Sequence, residues 1–402
     1  MIFYKNQEFI KSYNELINDI NNIREIDYVI RDSNAYEVFL KFIVAMLNNI
    51  TVIMVDSDLS DKEFSSLGLS EEILNKKLSV GSDKISDLSS LSFKLSQCAG
   101  WSLTLYTSGT TGIPKKVTHK FSALSRNVKV SERFRKNVWG YAFSPTHIAG
   151  IQVFLQALFN NNAIIDIFNK KRDEVIVEID HNKITNISAT STYYRLLSPF
   201  DFVCDSVLTI TSGGEKFDPD LSDKMKKSFP NARFRNIYAS TEAGTIFTTK
   251  GELFSIPDAL KEMVKIENNE ILIKSDLLGT INDNSCEWYA TGDIVEIVSK
   301  HPLTFKFIHR KNEMINIGGY KVNPHEVEEQ IRLLDHIIDV KVYGEKNSVL
   351  GSILCADIVC DSQLSEREIK NALKGKLQNF KIPRIINFEK ELSLTKTGKI
   401  KR

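Results

Sequence analysis

The hydrophobic and polar positions of the chain follow two different periods, one helical and one strand-like. Residues 7–22 carry apolar side chains at helical spacing, which predicts an amphipathic helix. A second helix is predicted around Ala35–Leu47, and the apolar run Ile50–Val55 predicts a strand. After Trp101, short apolar runs alternate with amphipathic stretches such as Ala149–Phe159, and this alternation predicts α/β layers. The runs that predict strands in this part are Leu103–Tyr106, Tyr141–Phe143, Ile164–Phe168, Ile187–Ala189 and Val207–Ile210.

A different pattern begins beyond residue 270, where the predicted strands become closely spaced. These strands are Ile271–Ile273, Ile294–Val298, Phe305–Ile308, Asp339–Tyr343 and Ser352–Val359. Asn323 followed by Pro324 is typical of a helix start. The change of pattern predicts two domains, a large α/β domain over residues 1–310 and a small α+β domain over residues 311–402.

The composition of the chain argues against several classes of protein. The 402 residues contain 52 Lys and Arg against 51 Asp and Glu, a formal net charge of +1. This balance provides no excess of positive charge that would attract a polyanion, so nucleic acid is not expected as a partner. The five cysteines are scattered without a C-x-x-C pair, which argues against a structural zinc site and fits a reducing, cytoplasmic compartment. Polar residues interrupt the most apolar stretch, Val38–Val55, so stable membrane insertion is not expected.

The most informative segment for chemistry is Leu105–Lys115, where an apolar strand runs into a loop with hydroxyl side chains, two glycines and a lysine. Glycines allow backbone amides to approach a phosphate, hydroxyls donate further hydrogen bonds, and Lys115 adds a positive charge. The segment lacks the glycine spacing of a Walker A loop. A short piece of it would be typical of an ordinary polar turn, but the complete string favours phosphate binding. The residues concerned are Thr107, Ser108, Gly109, Thr110, Thr111, Gly112 and Lys115.

The complete string resembles the signature phosphate loop of the adenylate-forming superfamily, which comprises acyl-CoA synthetases, peptide-synthetase adenylation domains and luciferases. Further motifs that resemble those of the family, in the family's order, are Thr211–Glu215 (TSGGE), Asn236–Glu242 (NIYASTE), Tyr289–Asp293 (YATGD) and Thr395–Arg402 (TKTGKIKR). Each motif alone has an ordinary explanation, such as a helix-start carboxylate for Glu242 or a solvated basic tail around Lys399. Because they occur together across nearly the whole chain, the chain is identified as a member of this superfamily.

The resemblance assigns roles to the residues of these motifs. It implies that Tyr238 stacks on adenine, that Thr241 bonds the α-phosphate and that Glu242 helps to hold Mg²⁺. Asp293 is expected to accept hydrogen bonds from the two ribose hydroxyls, with Arg310 as the second ribose contact. The remaining residues that the resemblance places at ATP are Gly213, Gly214, Glu215, Asn236, Ala239 and Ser240.

The resemblance also implies the reaction. A carboxylate attacks the α-phosphorus of ATP to give acyl-AMP and pyrophosphate, and a thiol then displaces AMP to form a thioester. Lys399 falls on the catalytic lysine of the family, and it would act together with Thr241 and Glu242. The expected cofactors are ATP, Mg²⁺ and coenzyme A.

The fold that the resemblance implies is a large layered α/β domain with a β-barrel-like subdomain, followed by a small mobile α+β domain that carries the catalytic lysine. The small domain would rotate between the half-reactions about a hinge at Asn312, where relatives commonly have Asp or Lys. After rotation, the residues expected to approach the pantetheine arm are Gly318, Gly319, Tyr320 and Lys321. For this family 402 residues is short, and the N-terminal region is expected to be reduced.

The acyl pocket is expected at Phe143–Gly150, where acyl-CoA synthetases often carry an aromatic residue or His at the position of His147. An ordinary role as a polar residue at a helix start is equally open for His147. Amino-acid adenylators usually place an Asp near this segment to pair with the α-ammonium group of the substrate. No such Asp is expected here before Asp166, which disfavours an amino acid substrate. Ala239 replaces the family's usual glycine and would narrow the pocket, which favours a short or moderate acyl group.

The sequence therefore predicts an AMP-forming acyl-CoA synthetase that acts on a fatty or aryl acid. One alternative is a ligase that loads an acyl group onto a carrier protein instead of coenzyme A. An alternative of another class is a non-catalytic nucleotide-binding protein. The presence of all the charged and hydroxyl residues of the motifs argues against this last alternative.

Overall fold

The structure is a computed structural model that describes residues 1–57, 59, 64–81, 83–107, 115–215, 217–281, 286–317, 320–347 and 351–393. These residues form a large α/β part followed by a small α+β part, which confirms the predicted fold class. Within them, no helix has both the length and the apolar character needed to cross a membrane.

The first part of the chain begins with a strand rather than with the predicted helix. The helix predicted over residues 7–22 starts only at Tyr13, because Ser12 is its N-cap and forms a capping box with Glu15. Ile10–Ser12 is instead a strand that pairs antiparallel with Ile2–Lys5. The elements of this part are β1 (Ile2–Lys5), β2 (Ile10–Ser12), α1 (Tyr13–Asn22), β3 (Glu25–Asp27), β4 (Val29–Ile30), α2 (Ala35–Leu47), β5 (Val52–Met54), α3 (Glu71–Leu74), β6 (Lys77–Ser79), α4 (Leu88–Ser96), β7 (Ser102–Thr107), β8 (Lys115–Lys120) and α5 (Phe121–Leu124).

The second part completes an eight-stranded sheet. Its elements are β9 (Val138–Tyr141), α6 (Ile148–Leu158), β10 (Ala163–Asp166), α7 (Arg172–His181), β11 (Asn186–Ala189), α8 (Ser191–Arg195), β12 (Thr209–Gly213), α9 (Pro219–Ser228), β13 (Arg233–Ser240) and β14 (Gly244–Thr249). The sheet order is β14-β13-β12-β11-β9-β10-β1-β2, and only the edge strands β14 and β2 run antiparallel to their neighbours. The strands predicted after Trp101 are all present, with ends shifted by a few residues.

The third part adds β15 (Val264–Glu267), β16 (Glu270–Lys274), β17 (Thr280–Ile281), β18 (Trp288–Lys300) and β19 (Leu303–Arg310). Four of these strands form an antiparallel sheet in the order β15-β16-β18-β19. Instead of joining them, β17 pairs with β8 at the edge of a second sheet, whose order is β17-β8-β7-β5-β4. The predicted β-barrel-like subdomain is therefore an open sheet, and no closed barrel is found among the described strands.

Helices α2 and α6 pack against each other in the largest hydrophobic core. The rings of Phe39 on α2 and Phe154 on α6 stack with their centroids 4.2 Å apart. Both side chains are fully buried, and burial of such a ring stabilises the fold by about 1.5–3 kcal/mol. This contact places the segment that follows β5 next to the segment that precedes α6.

The small part has its own hydrophobic core. A short 3₁₀ helix, Lys311–Glu313, leads into it from β19. Its elements are β20 (Ile315–Ile317), β21 (Tyr320–Val322), α10 (Pro324–Arg332), β22 (Ile337–Asn347), β23 (Gly351–Cys360), α11 (Glu366–Leu373) and β24 (Ile385–Phe388). The predicted helix start is present, because the Asn323 side chain accepts a hydrogen bond from the His325 N–H and Pro324 occupies the first turn.

A buried arginine joins the two parts. Arg195 Nε, at the end of α8, lies 3.2 Å from Asp339 Oδ1 on β22. Within the large part, Arg195 also lies 3.6 Å from Asp218 and 4.0 Å from Glu215. Burial lowers the pKa of Arg195, but the three carboxylates outweigh it, so the pKa is raised overall and the guanidinium stays charged.

Candidate functional site

A cleft of about 2600 Å³ is lined by residues of both the large and the small part. It includes the residues that follow the adjacent parallel strands β12 and β13, a position where α/β sheets commonly bind ligands. The predicted site residues that line it are Lys115, His147, Gly213, Gly214, Glu215, Asn236, Tyr238, Ala239, Ser240, Thr241, Glu242, Asp293 and Arg310. Motifs that are far apart in the sequence are thus brought together along one cleft.

Three of these residues form one hydrogen-bonded group. The Tyr238 hydroxyl donates to Asp293 Oδ2 at 2.6 Å, and Arg310 Nε donates to Asp293 Oδ1 at 2.7 Å. Asp293 lies opposite Arg310 in the β18–β19 pair, and its side chain is only 1% exposed. Burial raises the pKa of Tyr238, and the negative charge of Asp293 raises it further. Burial lowers the pKa of Arg310, but the attraction of Asp293 outweighs this effect and raises it overall.

The backbone of the Tyr289–Asp293 motif is held by a buried carboxylate. Gly292 has a φ of +75°, a conformation that favours glycine, and its N–H donates to Glu270 Oε1 at 2.8 Å. The other oxygen of Glu270 forms an ion pair with Lys311. Glu270, which belongs to none of the sequence motifs, therefore connects this motif to the first residue of the 3₁₀ helix after β19.

Thr241 and Glu242 occupy the turn between β13 and β14. Ser240 Oγ accepts a hydrogen bond from the Ala243 N–H at 3.2 Å, which closes the turn. Burial raises the pKa of Tyr289 to about 12, and the negative charge of the nearby Glu242 contributes to this shift. Thr241 and Glu242 are both partly exposed and line the cleft. A carboxylate there is an oxygen donor of the kind that Mg²⁺ shares with substrate phosphates.

Two predicted ATP contacts make their side-chain hydrogen bonds within the protein. The Glu215 carboxylate accepts from the Thr192 N–H at 2.8 Å and from the Thr192 hydroxyl at 2.9 Å. The Asn236 amide donates to the Gly251 carbonyl at 3.0 Å. These bonds fix the start of α8 and the turn beyond β14, so both residues shape the cleft.

His147 does not cap the helix that it precedes. It occupies the N-cap position of α6 without a side-chain capping bond, and its Nε2 lies 3.2 Å from Asp56 Oδ2. The expectation that no aspartate lies near this pocket before Asp166 is therefore wrong. Asp56 comes next to His147 because the packing of α2 on α6 joins segments that are 91 positions apart. Asp166 itself is half-buried at the end of β10, where it accepts a hydrogen bond from the Tyr4 hydroxyl at 2.7 Å.

Lys115 is the described end of the predicted phosphate loop. It is the first residue of β8 and lies opposite Thr107 of β7. The predicted site residues that lie outside the described part are Ser108, Gly109, Thr110, Thr111, Gly112, Gly318, Gly319 and Lys399. The side chains of Thr107, Asn312, Tyr320 and Lys321 also lie outside it.

Comparison with protein families finds matches over most of the chain. The family described as AMP-binding enzyme matches residues 17–280, and the AMP-binding enzyme C-terminal domain matches residues 326–399.

Individual relatives are similar over most of their own length. A putative long-chain fatty acid-CoA ligase, VraA, of Staphylococcus haemolyticus is 23% identical over 363 residues, which cover 85% of this chain and 74% of the relative. A 2-succinylbenzoate–CoA ligase of Listeria innocua is 27% identical and covers 76% of this chain and 70% of the relative.

Solved structures match the fold of nearly the whole chain. O-succinylbenzoate coenzyme A synthetase (MenE) of Bacillus subtilis, in complex with ATP and magnesium ion, has a TM-score of 0.69 at 17% identity and covers 99% of this chain and 95% of that one. ATP-bound MatB of Rhodopseudomonas palustris has a TM-score of 0.73 at 16% identity, with 99% and 94% covered.

Proposed function

Since the chain belongs to the AMP-binding enzyme family, we propose that it joins a carboxylic acid to coenzyme A through an acyl-AMP intermediate. The identification as an adenylate-forming enzyme, an AMP-forming acid–thiol ligase, is confirmed by the family matches and the relatives. The observation that carries the proposal is the meeting of Tyr238, Asp293 and Arg310 along a cleft that also contains Thr241 and Glu242.

We assign the nucleoside of ATP to the group formed by Tyr238, Asp293 and Arg310. Asp293 is a charged acceptor that can take hydrogen bonds from two ribose hydroxyls, and bonds to a charged acceptor are among the stronger ones in proteins. The ring of Tyr238 is the flat apolar surface that a purine requires for stacking. Arg310 Nε donates to Asp293 Oδ1 and so orients this carboxylate, which supports ribose binding even where Arg310 does not touch the sugar.

We assign the α-phosphate to Thr241 and the metal to Glu242. The donor set fits Mg²⁺, because this ion usually takes one or two carboxylates and completes its coordination with phosphates and water. Bound there, Mg²⁺ would neutralise negative charge on the phosphates. Thr241 would donate its hydroxyl to an α-phosphate oxygen, and Lys115 at the start of β8 adds positive charge to the same cleft.

We place the acid beside His147 and Asp56, which both line the cleft. Because Asp56 is an aspartate at this pocket, the choice among acids rests on the relatives. The relatives named as fatty acid and succinylbenzoate ligases support a fatty or aryl acid. We further propose that residues 1–310 bind ATP and the acid, and that residues 311–402 are the mobile domain with Lys399. The carrier protein as acceptor, the absence of nucleic acid binding and the cytoplasmic location stay predictions.

A substrate screen tests the proposed function. Pyrophosphate release should be measured with fatty, aryl and amino acids, including 2-succinylbenzoate, with and without coenzyme A. We expect pyrophosphate release with a fatty or aryl acid, and AMP release that depends on coenzyme A. A Glu242→Gln variant purified in the same way controls for contaminating ligases.

The other outcomes of the screen separate the alternatives. Turnover only with an acyl-carrier protein would support the carrier-loading ligase, and turnover only with amino acids would contradict the assignment of the acid. ATP binding without any pyrophosphate release across the panel would contradict the proposal and support a non-catalytic nucleotide-binding protein.

Replacement of His147 by alanine should lower kcat/KM for the acid about tenfold, the effect of one lost hydrogen bond of ~1.4 kcal/mol. The KM for ATP should stay unchanged, because His147 lies near the acid side of the cleft. Asp56→Asn keeps the shape but removes the charge that orients the imidazole, and it should change kcat/KM in the same direction by less. Steady-state kinetics with the best acid of the screen measures both variants. Unchanged acid kinetics in His147→Ala would rule out a role for His147 in the acid pocket.

A further inference from the structure

The turn that carries Thr241 and Glu242 is held by hydrogen bonds from other segments to its backbone carbonyls. His119 Nε2 lies 2.7 Å from the Thr241 carbonyl oxygen. The Gly279 N–H donates to the Glu242 carbonyl at 2.8 Å, and Arg126 Nη2 donates to the Ala243 carbonyl at 2.7 Å. Three consecutive carbonyls thus each have one donor, and we call His119, Arg126 and Gly279 the carbonyl clamp.

The carbonyl clamp belongs to the other sheet of the large part. His119 is on β8, and Gly279 directly precedes β17, which pairs with β8 at Thr280 and Thr118. Arg126 follows α5, the helix that begins where β8 ends. Because β8 begins at Lys115, the clamp ties the Thr241–Ala243 turn to the strand that follows the phosphate loop.

The position of His119 is closely constrained. Its side chain is buried, and burial lowers the pKa of the imidazole, which favours the neutral ring. The carbonyl of Thr241 only accepts, so we place the single ring proton on Nε2. A Cβ at Gly279 would come within 2.9 Å of His119 Nδ1 and 2.7 Å of Val117 Cγ1. Glycine at 279 therefore allows the backbone N–H and the imidazole to reach neighbouring carbonyls.

The Arg126 guanidinium contacts backbone carbonyls in more than one segment of the chain. Besides Ala243, its Nη2 lies 3.3 Å from the Thr245 carbonyl, and its Nη1 lies 3.4 Å from the Leu277 carbonyl. One planar guanidinium therefore connects the turn, the start of β14 and the segment before Gly279. A lysine cannot reproduce this arrangement, because its donors radiate from a single nitrogen.

We propose that the carbonyl clamp positions Thr241 and Glu242 for the metal and the α-phosphate, with His119 and Arg126 acting as positioning residues that do not touch the substrates. This inference rests on the function proposed above, because it takes the roles of Thr241 and Glu242 from it. A displacement of about 1 Å of groups that hold reacting atoms can lower a rate by about 10²-fold. The clamp prevents such a displacement by satisfying each carbonyl of the turn.

The test is Mg²⁺-dependent ATP binding, which needs no acid substrate. Calorimetric titration with ATP, with and without Mg²⁺, should show a gain in affinity from the metal in the wild-type protein. Arg126→Met should lose most of this gain, while its affinity for AMP without Mg²⁺ stays at the wild-type value. Arg126→Lys should recover little of the gain, because the charge alone does not hold three carbonyls.

Asn127→Ala is the matched control. Asn127 is the next residue, and its amide donates to the Thr245 carbonyl at 2.8 Å without touching the Thr241–Ala243 turn. We expect the wild-type gain from Mg²⁺ in this variant. Thermal unfolding shows whether each variant is folded. If Arg126→Met does not fold, His119→Gln and His119→Leu are compared instead. Of these two, only glutamine keeps a hydrogen-bond donor for the Thr241 carbonyl.

Two results would overturn the inference. One is a wild-type gain from Mg²⁺ in folded Arg126→Met or His119→Leu, and the other is a wild-type protein that gains no ATP affinity from Mg²⁺. A failure of the proposed function looks different, because the wild-type protein would then bind Mg²⁺ and ATP normally and release no pyrophosphate with any acid.

Discussion

Replacement of Lys399 by alanine should slow acyl-AMP formation by about 10²–10³-fold, the usual effect of a preorganised group at developing charge. In this step an anionic carboxylate approaches an anionic phosphate, so the reaction needs a cation between them more than it needs a proton donor. We propose that Lys399, which falls on the family's catalytic lysine by resemblance, is that cation. ATP binding should remain, because we assign the nucleoside to Tyr238, Asp293 and Arg310.

Isotopic exchange between ATP and pyrophosphate measures this step, and titration with ATP measures binding separately. Lys396→Ala is the matched control, because it removes an equal charge from the same C-terminal motif. The control should exchange at nearly the wild-type rate. Wild-type exchange in Lys399→Ala would show that Lys399 is not the cation of this step.

Replacement of Asp293 by asparagine should raise the KM for ATP by about 10- to 100-fold, because hydrogen bonds to a charged group contribute about 1.5–3 kcal/mol each. The variant keeps the shape of the side chain but loses the charge that Arg310 and the ribose hydroxyls share. Tyr238 and Arg310 would then face a weaker acceptor in a buried position. The melting temperature should fall as well, since these hydrogen bonds also hold the junction between β18 and β19.

Steady-state kinetics at varied ATP, together with thermal unfolding, separates the two effects. Glu296→Gln is the control, because Glu296 is on the same strand but pairs with Lys306 at the surface. An exposed pair of this kind contributes about 0–1 kcal/mol, so the control should keep its ATP kinetics. An unchanged KM for ATP in folded Asp293→Asn would contradict the assignment of the ribose to Asp293.

Local patterns in the sequence predicted only part of the elements. Helix α2, the alternating strands and helices after Trp101, and the helix start at Asn323 need only periodicity and capping, which act between residues close in the chain. The first helix was predicted too long, because the apolar side chains of Phe9 and Ile10 fit a helical stripe as well as an edge strand. The pairing with β1 that decides between them is not visible in the local sequence.

The motifs predicted the candidate site because each one carries its own chemistry in consecutive residues. Their meeting along one cleft follows from the parallel sheet, which places residues after β12 and β13 side by side. The supporting residues could not be predicted in this way. Asp56, His119, Arg126, Arg195 and Glu270 are single charged or polar residues without a motif, and nothing in their neighbourhood marks them.

By itself, therefore, the sequence determined the family and the chemistry of the motifs in this protein. Only the tertiary structure decided which distant groups hold the site in place: Asp56 at His147, Glu270 at Gly292, Arg195 between the two parts, and the carbonyl clamp at Thr241–Ala243. The physical reason is that a buried donor or acceptor must find a partner, and which partner it finds depends on how sheets and helices pack. Packing joins residues across more than ninety positions of the chain, as it does for Asp56 and His147, and leaves no periodic pattern in the sequence.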